Sequence, residues 1–201
     1  MMARGSVLVV VVGLLVAGAV GGAGAAGPLD HPGFAKALTC SACHGVAGNS
    51  KSSAMPILAG MSAAYFTRQI EAYAKGDRPS PEMEPYAKYV LQAGVAEVAG
   101  YFAAQKMEPT PIPASAAAAA RGKVAAAACA ICHGQDGKGD AAKLIPSLAG
   151  QAPGYLREQM ILFKQDTRNP KDAALKAMKA LMRTIPDPGI EDLAAYYSSL
   201  R

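Results

Sequence analysis

The chain has no Trp, only four Phe and eight Tyr in 201 residues, four Cys and three His. Each scarcity excludes something. Four Cys in a chain of this length are too few for a disulfide-stapled scaffold. Charged residues make up 17% against 51% hydrophobic, the reverse of a disordered tail. Twenty basic against fifteen acidic side chains give +5, scattered along the chain, so nucleic-acid binding is not the default reading. With so few aromatics, domains of this size have a thin core, and something other than protein is expected to fill it.

What is present begins with a leader. Residues 7–20 form an uninterrupted apolar and Gly run, preceded by Arg4 and followed by small residues. This is the pattern of a secretory signal peptide over 1–26, with cleavage after Ala25 or Ala26. A retained anchor helix is the competing reading, although the Gly-rich second half suits a membrane span poorly. Either way the bulk of the chain is expected outside the cytoplasm, in the periplasm, where thiols are bridged, metallated or consumed. Residues 27–108 carry seven basic and seven acidic groups, whereas 109–201 carry twelve and eight, so the positive excess lies in the second half.

The chain also repeats itself. Cys40-Ser41-Ala42-Cys43-His44-Gly45 recurs 89 residues later as Cys129-Ala130-Ile131-Cys132-His133-Gly134. Pro56, Leu58, Ala59, Gly60, Tyr65, Gln69 and Arg78 recur 90 residues later as Pro146, Leu148, Ala149, Gly150, Tyr155, Gln159 and Arg168. Tyr101 and Tyr196 close the two copies at an offset of 95. A tandem duplication follows, with domains at 27–108 and 114–201 joined by an extended Pro-rich linker at 109–113. Helices are expected at 33–40, 63–74, 93–105, 114–128, 153–164, 170–182 and 189–200. No stretch alternates with period two, so the fold class is all-α.

All four Cys fall in C-x-x-C-H, the attachment signature of c-type haem. Two Cys three apart on a helical turn can each bond one vinyl group of a porphyrin, and the adjacent His then faces the iron. One zinc site built from both C-x-x-C pairs is the alternative, but the pairs belong to separate repeats and each has its own His. Two covalent haems are therefore expected, on Cys40 and Cys43 with His44, and on Cys129 and Cys132 with His133. Only His31 remains, read as an exposed residue near the mature N-terminus, so Met is the expected second ligand. Met83 and Met178 are the one pair that shares the 95-residue offset. Met182, one helical turn beyond Met178, is the fallback.

Taken together, these motifs over residues 30–201 resemble a dihaem class I cytochrome c of the cytochrome c4 type. The resemblance implies two tandem class I cytochrome c domains, each wrapped around one covalently attached haem. It implies that terminal helices cross where Gly33 meets Tyr101 and where Gly122 meets Tyr196. It also implies that the carbonyls of Pro56 and Pro146 accept hydrogen bonds from His44 and His133. Arg78 and Arg168 precede the Met ligands and are candidates to pair with haem propionates; solvated loop arginines are the competing reading. The stretch from Arg168 to Met178 is five residues longer than its counterpart in the first half.

The function so implied is electron transfer without enzymatic activity of its own. The carrier would pass electrons from a quinol-oxidising complex or dehydrogenase to a terminal oxidase or reductase. Redox proteins are then the partners, with membrane association through a partner or an uncleaved leader left open. Two alternatives stand beside it: a cytochrome subunit of a dehydrogenase such as a sulfide-oxidising flavocytochrome, and a dihaem enzyme with one open iron site.

Overall fold

In a computed structural model the described residues are Met2, 27–169 and 171–201. Apart from Met2, the expected signal peptide lies outside them, as does Pro170, where one helix was expected to begin. The described residues are helical, with no strand beyond an isolated bridge between Asp140 and Ile145. None of these helices is long and apolar enough to cross a membrane.

The first half opens with α1 (Phe34–Ala37), which runs through a 3-10 turn into the short α2 (Ser41–His44). After a loop, α3 (Ala63–Ala74) starts where Ser62 accepts the Tyr65 N–H at 3.3 Å, an N-cap that satisfies a first-turn donor. Helices α4 (Met83–Ala93) and α5 (Val95–Ala104) follow, separated only by Gly94 in a left-handed conformation (φ 117°). The second half repeats the plan: α6 (Ala116–Ala125), capped by Ser115, then α7 (Ala130–His133), α8 (Pro153–Lys164), α9 (Lys176–Thr184) and α10 (Asp187–Ser199). Pro153 sits at the first position of α8, where its missing N–H needs no partner.

Helices 63–74 and 153–164 were expected with these bounds. α4 was not expected; its Pro85 falls in the first turn, the one place in a helix where proline is tolerated.

In each half the N-terminal helical segment crosses the last helix. A Cβ built on Gly33 would overlap the Glu97 carbonyl and press on the Tyr101 Cβ at 3.0 Å; one on Gly122 would overlap the Asp192 carbonyl and meet the Tyr196 Cβ at 2.8 Å. The backbones pass too closely for any side chain, as the resemblance implied. Around these crossings lie two cores, one of Phe66, Ile70, Val90, Val98, Tyr101 and Phe102 and a sparser one of Leu156, Leu193, Ala194 and Tyr197. Between the halves, Thr110 is buried and its N–H donates to the Gly150 carbonyl at 2.7 Å, fastening the Pro-rich segment to the second half.

Candidate functional site

In the first half, α2 ends at Gly45, whose φ of 76° turns the chain away immediately after His44. Cys40 is half-buried against the first core and Cys43 is exposed. His44 is buried, and its Nδ1 lies 2.9 Å from the Pro56 carbonyl. A carbonyl only accepts, so Nδ1 carries the proton and Nε2 keeps its lone pair. Burial pulls the His44 pKa down, opposed by the Pro56 bond, so the ring is held in its neutral, ligating form. Cys40, Cys43, His44, Pro56, Phe66 and Met83 line one largely apolar cavity of about 570 Å³, with Met61 also in its wall. Its far side is completed by Arg78 and, from the other half, by Tyr155 and Gln159.

The second half repeats the histidine geometry: His133 Nδ1 lies 3.0 Å from the Pro146 carbonyl, and burial again lowers its pKa against that bond. Cys129 is half-buried beside Tyr197 and Cys132 is exposed. Met178 packs in a neighbouring cluster with Phe163, Met182 and Ile190, which shares Met160 and Ile185 with the cluster around Cys129. The second set of residues thus lies across two adjoining clusters, where the first lines one cavity. His31 is half-buried rather than exposed: it stacks edge-on against Tyr101 at 5.6 Å, and its Nδ1 accepts the Gly33 N–H at 3.0 Å.

Arg78 and Arg168 overturn the solvated-loop reading, being only 3% and 4% exposed. Each reaches across to the other half. Arg78 donates to Gln69 (2.9 Å), and to Tyr155 (3.0 Å) and Gln159 (2.7 Å) of α8. Arg168 donates to Gln159 (2.6 Å), and to Tyr65 (3.1 Å) and Gln69 (2.9 Å) of α3. The six residues are three repeat pairs arranged reciprocally about the domain interface. These bonds all go to neutral oxygens. Burial, and then the neighbouring Arg78, push the Arg168 pKa down; burial works against ionising the Tyr155 hydroxyl, but the two guanidiniums hold its pKa below the usual range. The Nε of each arginine is buried with no hydrogen-bond partner.

Two residues of the longer stretch before Met178 serve the same interface. Asp172 pairs with Arg68 of α3, and the Asn169 N–H donates to the Asp77 carbonyl at 2.5 Å. Sequence reasoning missed this seam. Its only signal was that polar Tyr65, Gln69 and Arg78, of no evident local use, recur in register.

Comparisons with known proteins now bear on the site. The cytochrome c family model matches residues 119–201. Cytochrome c4 from Pseudomonas aeruginosa is 34% identical over 194 residues, covering 93% of this chain and 96% of that one. The chain belongs to the cytochrome c4 family. The crystal structure of reduced cytochrome c4 from Pseudomonas stutzeri superposes with a TM-score of 0.75 at 27% identity, covering 84% of this chain and 97% of that one. A thiosulfate dehydrogenase electron acceptor from Stutzerimonas stutzeri is 31% identical over 180 residues, covering 82% of this chain and 80% of that one.

This cytochrome c4 homologue is a dihaem electron-transfer cytochrome with two covalently bound c-type haems and redox proteins as partners. Its residues fit that cofactor. The first cavity has the size and apolar lining for one large flat ligand, and both histidines present a free Nε2. The two orphaned arginine donors, in a seam bonded only to neutral oxygens, suit the carboxylates such a ligand carries.

Proposed function

We propose that this protein is an exported, periplasmic electron carrier. It takes electrons from a quinol-oxidising complex or a dehydrogenase and passes them to a terminal oxidase or reductase. The observation that carries the reading is that His44, with Nε2 free, and Met83 line the same cavity, so both axial positions can be filled by protein and none is left for a substrate. Haem supplies a ferric/ferrous couple, which Met ligation poises at higher potential than bis-imidazole ligation.

The chain's own residues do the rest. Cys40 and Cys43, and Cys129 and Cys132, hold the two groups covalently. His44 and His133 would hold the iron through Nε2, their rings oriented by the Pro56 and Pro146 carbonyls. Met83 and Met178 would supply the thioether ligands. Arg78 and Arg168 pair with propionates while the neutral Tyr and Gln oxygens hold both guanidiniums in place. The apolar walls keep water from the metal. A spectroelectrochemical titration tests this reading: two low-spin, methionine-ligated centres are expected, and a high-spin centre binding small ligands contradicts it.

The relative named as a thiosulfate dehydrogenase electron acceptor supports a second reading, dedicated service to one dehydrogenase. Stable co-purification with a dehydrogenase favours the dedicated partner; turnover with several oxidases and no retained partner favours the shuttle.

Arg78→Gln is expected to lower the potential of the first haem more than that of the second, since removing a buried cation beside it favours the ferric charge. It should also cost about 2–4 kcal/mol of stability, because Tyr155 and Gln159 lose a charged donor. Redox titration and thermal unfolding of the variant check both.

A further inference from the structure

Gln151 lies just before α8, is 5% exposed, and bonds to a single residue of the other half with both ends of its amide. The Ile57 N–H donates to its Oε1 at 2.7 Å, and its Nε2 donates to the Ile57 carbonyl at 2.9 Å. Oε1 also accepts the Ala152 N–H at 2.9 Å, so exchanging the amide's O and N would set a donor against two donors.

The Ile57 N–H and the Pro56 carbonyl belong to one peptide group. That carbonyl is the acceptor of His44 Nδ1–H. A continuous path therefore runs from the His44 ring through the 56–57 peptide to Gln151 of the second half. His44, Ile57 and Gln151 are all buried, so water does not compete for these bonds. A peptide bonded at both ends is more polarised than one bonded at a single end, and its carbonyl accepts more strongly. The repeat places Met61 opposite Gln151, and a thioether offers no donor and only a weak acceptor. The handle exists in one direction only, from the second half to the first histidine.

We propose that Gln151 is a positioning residue for His44. By strengthening the Pro56–His44 bond it raises the electron-donor strength of that imidazole, so the potential of the first haem depends on an intact domain interface while that of the second does not. The proposal rests on His44 being an iron ligand, as assigned above.

The test uses ¹⁵N-labelled holoprotein and three variants, Gln151→Met, Gln151→Glu and Ser53→Ala. The last removes a neighbouring interface bond, from the Gly154 N–H to Ser53 Oγ at 3.2 Å, without touching the 56–57 peptide. Two quantities are read: the Nδ1–H resonances of both histidines in the reduced protein, and both midpoint potentials. Gln151→Met should move the His44 resonance upfield and raise the first potential, leaving His133 and the second potential in place. Gln151→Glu gives up the donor to the Ile57 carbonyl, but in its ionised form it accepts more strongly from the Ile57 N–H and should shift both first-half quantities the opposite way. Ser53→Ala should change neither.

An unmoved His44 resonance in Gln151→Met, equal shifts in both halves, or an equal effect of Ser53→Ala overturns the proposal. If Gln151→Met does not assemble, the sign of the Gln151→Glu shift decides: downfield supports the proposal, and no shift or an upfield one overturns it. Failure of the underlying assignment is separate, because it shows in the unmodified protein as a His44 resonance without the large ring-current shift of an axial imidazole.

Discussion

Gly122→Ala should cost the second half at least about 3 kcal/mol, a fall of roughly 10–20 °C in its unfolding midpoint. The added methyl meets the carbonyl of Asp192, a backbone atom of α10 that no rotamer change can move aside, and presses on the Cβ of Tyr196 at 2.8 Å. Relief requires α6 and α10 to separate, which opens the packing around Leu193, Ala194 and Tyr197. Helix propensity alone would favour Ala over Gly by about 1 kcal/mol, so the net loss measures the crossing itself. Gly33→Ala should do the same to the first half against Glu97. Gly100→Ala is the control. It lies on α5 beside Tyr101, but its methyl would meet only the His31 ring at 3.7 Å. It should be neutral or stabilising by up to about 1 kcal/mol. Calorimetry of the three holoproteins separates these outcomes.

Met83→Ala and Met178→Ala should each lower the potential of one haem, on the order of 0.1 V within the roughly 0.8 V that axial ligands command. Each should also remove half of the weak red absorption band that methionine-ligated ferric haem shows. Met83 lines the first cavity with His44, so its loss opens that site to small ligands. The sharper comparison is in the second half, where Met178 and Met182 lie one helical turn apart in one cluster. Met182 is 4% exposed among Phe163 and Ile190, the setting of a core side chain. Met182→Ala should therefore cost about 2–4 kcal/mol by leaving a cavity, and keep the full band. A band lost in Met182→Ala and retained in Met178→Ala would transfer the ligand role.

Much of this arrangement was legible from residue order because it is local or repeated. Each C-x-x-C-H spans one short helix and its N-cap, and helices 63–74 and 153–164 follow from propensity. What was not legible depends on the two halves meeting. Arg78 and Arg168 read equally as propionate partners or as solvated loop residues, because most of the side chains that bury them lie in the other copy. The longer stretch before Met178 showed only as a difference in length, whereas in the structure Asn169 and Asp172 fasten the segment leading into α9 to the first half. Gln151, opposite Met61 in the repeat, carries no sequence signal of its role. Its bond to the 56–57 peptide cannot be read from a sequence in which the two residues stand 94 apart. α4 was not expected at all; its Pro85 is tolerated because it stands in the first turn.

The central claim is that each half holds its own haem through its own Cys pair. Proteolysis of the purified holoprotein, with mass analysis of the fragments, tests it most directly. The account predicts one haem on the fragment containing Cys40, Cys43 and His44, one on the fragment containing Cys129, Cys132 and His133, and no free thiol. A haem-free fragment of either kind, or the two Cys pairs joined through a disulfide or a shared metal ion, would contradict it.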